Sequence, residues 1–171
     1  FNELVDFVEI ESAWSHIAWG EKEDTAKYNP PFYATGWFRW RTWRCPQAGL
    51  DNLKWQSELI HNEDYCKDQP YYMKPTPQAV KAQEILALYT WWTEVYPNRP
   101  DAYNASGWTD YCEASRLSNG GKINWSSDKS PELKKQSSKA HKALQKLEAD
   151  YEKEDTDMMI RLIKVRHGLW T

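Results

Sequence analysis

The sequence predicts an all-α fold, a Trp-rich compact helical domain of four to five helices with a long C-terminal helix. Apolar residues recur at helical spacing in four long segments, strand-like alternation is scarce, and Thr-Pro and Ser-Pro pairs mark helix starts. The chain has 171 residues, including 11 Trp but only 7 Gly. This composition suits a large rigid core and excludes a disordered tail. No apolar run is long enough to span a membrane.

The first helix is predicted over residues 2–19, where apolar side chains fall on one broad face at about 100° per residue. That face contains Leu4, Phe7, Val8, Ile10, Trp14, Ile17 and Ala18. Pro30 and Pro31 follow, and a proline pair cannot continue a helix. Residues 32–44 fit a short helix and an irregular segment equally well.

Three further helices are predicted from proline positions and apolar stripes. Pro46 suits a first helical turn, so residues 48–61 read as a helix, and residues 62–75 read as a loop. Thr76 and Pro77 start a helix that continues to about residue 96, with apolar residues on two strips of its surface.

Ser130 and Pro131 start the last helix by the same logic. Its apolar or small residues recur in the alternating four-three spacing of a coiled coil, from Leu133 to Leu169. The segment forms one helix of nearly 40 residues or two helices joined near Asp155. We expect two domains, a Trp-rich helical domain over residues 1–121 and a loop with the long helix over residues 122–171.

The Trp/Arg segment, residues 36–44, interleaves aromatic side chains with arginines. Its candidate binding residues are Trp37, Arg39, Trp40, Arg41, Trp43 and Arg44. Single-stranded nucleic acids bind where bases stack on aromatic rings beside cations, and Trp and Arg are also enriched at protein interfaces. Cation–π packing inside the protein would require the same composition.

A stripe of lysines on the last helix is the second candidate binding surface. Lys135, Lys139, Lys142 and Lys146, the lysine stripe, share one helix face opposite the apolar residues. Although the whole chain carries a net charge of −3, residues 122–146 carry seven lysines and two acidic residues. Such a face can simply be solvated, or it can attract nucleic acid or an acidic protein.

Carboxylates and one histidine suggest an alternative, a metal-dependent hydrolase. Glu11 lies on an apolar helix face, where a carboxylate pairs, takes a proton or binds metal. Glu58 and His61 have the i, i+3 spacing of di-metal carboxylate bundles. Glu154 and Asp155 belong to an acidic cluster that could help to hold Mg²⁺, as in all-α nucleotide pyrophosphohydrolases.

Several established enzyme and redox signatures are absent from the sequence. It has no G-x-S-x-G motif, no Gly-rich nucleotide loop and no P-loop. Its three Cys are far apart without a C-x-x-C pair, which argues against a zinc knuckle and a disulfide framework. A reducing cytoplasmic compartment is therefore the default expectation.

Several short phrases resemble uncharacterised proteins encoded by tailed bacteriophages. They are Trp43-Arg44-Cys45-Pro46 followed by Ala48-Gly49-Leu50, Tyr89 to Trp92 followed by 97–101, Ser106-Gly107-Trp108 with Tyr111-Cys112, and Arg161 to Arg166 with the ending Trp170-Thr171. The resemblance covers most of the chain. It implies a phage-encoded protein of the host cytoplasm or a minor virion component, and it transfers no activity and no site residue.

The sequence thus predicts a non-enzymatic binding protein without a cofactor, which engages a protein or nucleic-acid partner through the aromatic and arginine side chains of the Trp/Arg segment. It also predicts a protein partner or self-association, nucleic acid as a possible partner, and no membrane. The hydrolase alternative requires Mg²⁺ or a di-metal centre. A third hypothesis is structural, in which the long helix pairs with a second copy or with another helix.

Overall fold

The computed structural model describes residues 1–31, 43–121 and 130–169, and these residues form an all-α fold. Five long helices and two single-turn helices are present in these ranges. They are α1 (Asn2–Asp6, continued by Phe7–Ser12 and Ala13–Trp19), α2 (Lys22–Thr25), α3 (Pro46–Ser57), α4 (Pro77–Thr90, continued by Trp91–Val95), α5 (Ala102–Ala105), α6 (Trp108–Ser118) and α7 (Pro131–Val165). No strand occurs in the described ranges, where one antiparallel bridge joins Ile60 to Pro75.

The predicted helix starts are confirmed, since α3, α4 and α7 each begin at a proline. At α4 the Thr76 side chain accepts a hydrogen bond of 3.1 Å from the backbone N–H of Ala79, which satisfies one of the free donors of a helix start. The question of one or two C-terminal helices is also answered, because α7 continues through Asp155 without a break. In the described residues, no helix is both long and apolar enough to cross a membrane.

One predicted boundary is wrong. The helix predicted over residues 48–61 ends at Ser57, and Glu58, its C-cap, lies in a turn. Helix α6 follows a left-handed glycine at position 107 (φ 76°). Residues 32–42, predicted as a short helix or an irregular segment, lie outside the described residues. The same is true of residues 122–129, which are predicted as a loop.

The chain forms two compact units, residues 1–97 with 160–171 and residues 98–159. This division differs from the one predicted at residue 121, which remains a prediction. In the first unit α3 packs on both α1 and α4. Its core contains Leu4, Val8, Leu53, Ile85 and Leu88, whose removal from water supplies the main stabilisation of this packing.

The contact between α1 and α3 depends on a buried glycine. A methyl group at Gly49 would lie 1.8 Å from the carbonyl oxygen of Val8, so only glycine allows the two backbones to approach this closely. The buried Ser12 hydroxyl donates a 3.2 Å hydrogen bond to the Gly49 carbonyl and accepts one of 2.9 Å from the Asn52 amide. The interhelical polar groups therefore satisfy one another.

The middle of α1 and the end of α4 are π-helical. The second π-helical segment places Trp91, Trp92 and Tyr96 beside Phe1, with ring centroids 4.6 Å apart for Phe1 and Trp92 and 4.9 Å apart for Trp92 and Tyr96. Such offset aromatic pairs add stabilisation beyond their buried area. Part of the high Trp content is therefore explained by an aromatic cluster at this end of α4.

The second unit contains α5, α6 and the part of α7 that precedes residue 160. Most buried and half-buried residues of this part of α7 follow a four-three spacing: Leu133, Ser137, Ala140, Leu144, Leu147, Tyr151, Glu154 and Met158. Ala143 and Asp155 are half-buried beside them. Tyr111 and Ser115 of α6 are buried, and the Trp108 ring lies 5.8 Å from that of His141. The spacing therefore marks the face of α7 that packs within this unit.

Candidate functional site

The Trp/Arg segment is described only at its end. Trp37, Arg39, Trp40 and Arg41 lie outside the described residues, so their role in binding stays a prediction. Trp43 is half-buried and Arg44 is exposed. The Arg44 guanidinium donates a 2.7 Å hydrogen bond to Glu9 and contacts Asp6, both on α1.

Glu9 connects this arginine to α4. Its second carboxylate oxygen accepts a 2.8 Å hydrogen bond from the Tyr89 hydroxyl, and its backbone carbonyl accepts one of 2.8 Å from Cys45. Hydrogen bonds to Glu9 and then to Asp6 raise the pKa of Arg44, while burial and then Glu9 raise the pKa of Tyr89. Arg44 therefore has a structural role in the first unit, and a role in partner binding remains a prediction.

The lysine stripe is fully exposed. Lys135, Lys139, Lys142 and Lys146 all lie on the side of α7 opposite Ala140 and Leu144, which are buried. Within the described parts of the chain, none of the four ammonium groups forms an ion pair. At 1.5 Å of rise per residue the stripe is about 17 Å long. Among the described residues, the four lysines thus form a positive face of α7 without ion-pair partners.

The acidic pair of the hydrolase alternative is bound by an arginine. The Arg99 guanidinium lies 2.9 Å from Glu154 and 2.6 Å from Asp155, and it stacks 5.0 Å above the Tyr151 ring. Arg99 thus supplies at these carboxylates the positive charge that the alternative assigns to Mg²⁺. Glu11 is half-buried in the π-helical part of α1 and has a polar or electrostatic partner.

Glu58 and His61 do not share a helix face. Because α3 ends at Ser57, Glu58 lies in a turn and is exposed, whereas His61 lies in an extended segment. The backbone N–H of His61 donates to the Lys74 carbonyl at 3.0 Å, and the His61 carbonyl accepts from Met73 at 2.8 Å. The helical spacing on which the di-metal interpretation of this pair depends is therefore wrong.

A different set of potential ligands surrounds His61. Its imidazole, the Glu63 carboxylate and the Cys66 thiol have ligand atoms within 4.8 Å of one another. The sequence signal is His-x-Glu-x-x-Cys over residues 61–66, most of which lies in the predicted loop 62–75. The geometry of the loop brings the three side chains together.

A second polar cluster, for which the sequence gives no signal, links α1, the 3₁₀ turn Ala26–Tyr28 after α2, and α3. The Tyr28 hydroxyl donates a 2.6 Å hydrogen bond to Asp51 and lies 3.1 Å from Nε2 of His16, and Lys27 pairs with Asp51 at 3.0 Å. Burial alone would raise the pKa of Asp51, but hydrogen bonds from Tyr28, Lys27 and Gln47 lower it. Burial and the hydrogen bond to Asp51 raise the pKa of Tyr28.

His16 in this cluster makes stability depend on pH. Burial lowers its pKa below the ordinary value of 6.5, and the nearby Asp51 charge opposes this only in part. Below pH 6.5 the unfolded chain therefore binds a proton at this residue more readily than the folded chain, so the free energy of unfolding decreases as the pH falls from 6.5 through the lowered value.

We expect His16→Gln to weaken the loss of stability between about pH 7 and about pH 5.5, since glutamine does not titrate there. Urea unfolding at the two pH values measures it, with His167→Gln as the control because His167 is exposed. An equal loss of stability in wild type and His16→Gln contradicts the assignment.

Comparisons with known proteins identify no relative. No family model matches the chain, and neither the curated proteins nor the solved structures contain a significant match. The functional argument therefore depends on the residues of this chain, chiefly the lysine stripe and the two polar clusters of the first unit.

Proposed function

We propose that this chain is a non-enzymatic binding protein that engages an acidic macromolecule through the lysine stripe. The macromolecule that we favour is single-stranded nucleic acid. The observation that carries the proposal is that all four lysines are exposed on one face of α7 and lack ion-pair partners among the described residues. A surface of this kind attracts phosphates, and the release of their counterions drives binding.

The dimensions and composition favour a nucleic-acid backbone. Phosphates recur at every nucleotide along a strand, so a stripe of about 17 Å can contact several of them. The Trp/Arg segment has the aromatic and cationic residues on which unpaired bases stack. An acidic protein surface would use the same lysines, and the experiment below distinguishes the two.

A protein partner or a second copy of the chain is the second candidate function. Trp19 is 83% exposed and Trp55 is 58% exposed, whereas tryptophan is usually largely buried. Exposed tryptophan side chains of this kind are frequent anchors of protein interfaces. Light scattering of the full chain tests self-association, and a monomer counts against it.

The remaining expectations are also proposals. On the resemblance described above, we propose a phage-encoded protein that acts in the host cytoplasm or in the virion as a minor component. The hydrolase alternative loses one of its ligand pairs, since Arg99 binds Glu154 and Asp155.

The proposal is tested with a charge-neutralised variant. Replacing Lys135, Lys139, Lys142 and Lys146 together by glutamine, a good helix former, should preserve α7 and weaken binding of a fluorescent single-stranded oligonucleotide by more than about tenfold. Anisotropy measures the affinity, and circular dichroism checks the fold.

A matched control removes the same charge elsewhere. Lys54, Lys67, Lys74 and Lys81 are also exposed but lie in the first unit, and their replacement by glutamine should have a smaller effect. Equal losses in both variants, or no binding by wild type, would contradict nucleic-acid binding through the stripe. Retained binding of polyglutamate without oligonucleotide binding would identify an acidic protein as the partner class.

A further inference from the structure

The loop between α3 and α4 is a well-connected structure. Besides the two hydrogen bonds of His61, the Thr76 N–H donates to the Leu59 carbonyl at 3.0 Å, so the two ends of the loop are paired. Between them, Asp64–Cys66 forms a 3₁₀ turn in which the Cys66 N–H donates to the Glu63 carbonyl at 2.9 Å. This backbone holds residues 61, 63 and 66 at fixed positions on one side of the loop.

Three side chains of different chemistry converge there. The His61 ring nitrogen, a Glu63 carboxylate oxygen and the Cys66 sulfur all lie within 4.8 Å of one another. Cys66 is buried, His61 is half-buried and Glu63 is exposed, so the group extends from the interior to the surface. The Tyr71 ring lies 4.9 Å from the His61 ring and limits the orientations that the imidazole can adopt.

From this geometry we propose that His61, Glu63 and Cys66 form a binding site for Zn²⁺. Bonds of about 2.0–2.3 Å from zinc to nitrogen, oxygen and sulfur place tetrahedral ligand atoms about 3.3–3.8 Å apart. The separations therefore need to shorten by at most about 1.0–1.5 Å. On coordination the Cys66 thiol loses its proton to solvent, and its sulfur forms a bond to zinc.

The ligand set selects zinc over magnesium. A thiolate and an imidazole are soft or intermediate ligands, whereas Mg²⁺ requires an octahedron of oxygens, of which the cluster has a single carboxylate. Three protein ligands leave one tetrahedral position for water or for a group from another molecule, as in zinc sites that are not closed. The site lies in the first unit and is independent of the lysine stripe.

The test uses Zn²⁺, Co²⁺ and Mg²⁺ salts with the reduced full chain. We expect one equivalent of Zn²⁺ per chain by calorimetry, tetrahedral and thiolate-to-metal absorption bands with Co²⁺, and no competition by excess Mg²⁺. His61→Gln and Cys66→Ser should each weaken Zn²⁺ binding by more than about 100-fold, because even the loss of an outer partner costs 10–100-fold.

Each variant has a matched control in the same chain. Cys112→Ser, His167→Gln and Asp64→Asn should bind Zn²⁺ like wild type, whereas Glu63→Gln should bind it more weakly. Because Cys66 is buried, its variant is first checked by circular dichroism, and the exposed Glu63 provides the comparison that does not depend on core packing. Absence of the thiolate band in wild type, or equal affinity of Glu63→Gln and Asp64→Asn, overturns the proposal.

Discussion

Gly49→Ala is expected to lower the free energy of unfolding by at least about 3 kcal/mol, or to prevent folding of the first unit. The added methyl group would lie 1.8 Å from the Val8 carbonyl oxygen, which belongs to the backbone and cannot rotate away. Relief requires α1 and α3 to separate, which would also lengthen the hydrogen bond from Ser12 to the Gly49 carbonyl.

Urea unfolding measures this effect, with Lys54→Ala as the control. Lys54 is an exposed residue of the same helix, so its replacement should change the free energy of unfolding by less than about 0.5 kcal/mol. An unchanged unfolding midpoint for Gly49→Ala would mean that α1 and α3 do not pack backbone to backbone at this point.

Tyr111→Ala should destabilise the second unit by about 3–5 kcal/mol. Tyr111 is 2% exposed and lies 5.2 Å from the Trp108 ring, measured between centroids. Its truncation removes aromatic packing and leaves a cavity, because the neighbouring helices can collapse only in part.

The same substitution at Tyr103 is a matched control for this prediction. Tyr103 belongs to the same unit but is 51% exposed, so its loss should cost less than about 1 kcal/mol. Thermal unfolding followed by near-ultraviolet circular dichroism reports on the aromatic environment. Similar melting temperatures for Tyr111→Ala and Tyr103→Ala would contradict the burial of Tyr111.

The parts of the fold that follow from local sequence were predictable. Pro46, Pro77 and Pro131 begin helices because proline fits the first helical turn, where its missing N–H is not needed. The four-three spacing of α7 gave the packed face of that helix and, opposite it, the exposure of the lysine stripe. Both predictions depend on residues close together in the chain.

The buried face of α1 was predicted only in part, because the helix changes its period. A π-helical segment places more residues in each turn than the 3.6 assumed, and so rotates the apolar face. Leu4 and Val8 are buried as expected, but Ser12 and Ala13 are buried as well and Ala18 is exposed. Nothing in the composition of residues 7–12 signals this change of period.

The candidate metal ligands illustrate a second limit. Glu58 and His61 would share a face only if α3 continued to residue 61, whereas the backbone of His61 pairs with residues 73 and 74 in the loop. Contacts of this kind join residues distant in sequence, as do those of Arg44 with α1 and of Tyr28 with Asp51. Helical periodicity alone cannot predict them.

The salt dependence of oligonucleotide binding tests the central proposal most directly, because it counts the phosphate contacts. Four lysine contacts to a single strand predict that log K falls with log salt with a slope near −2.8, and that the variant with four glutamines in the lysine stripe loses most of this slope. A wild-type slope near zero, or the same slope in both proteins, would contradict binding through the lysine stripe.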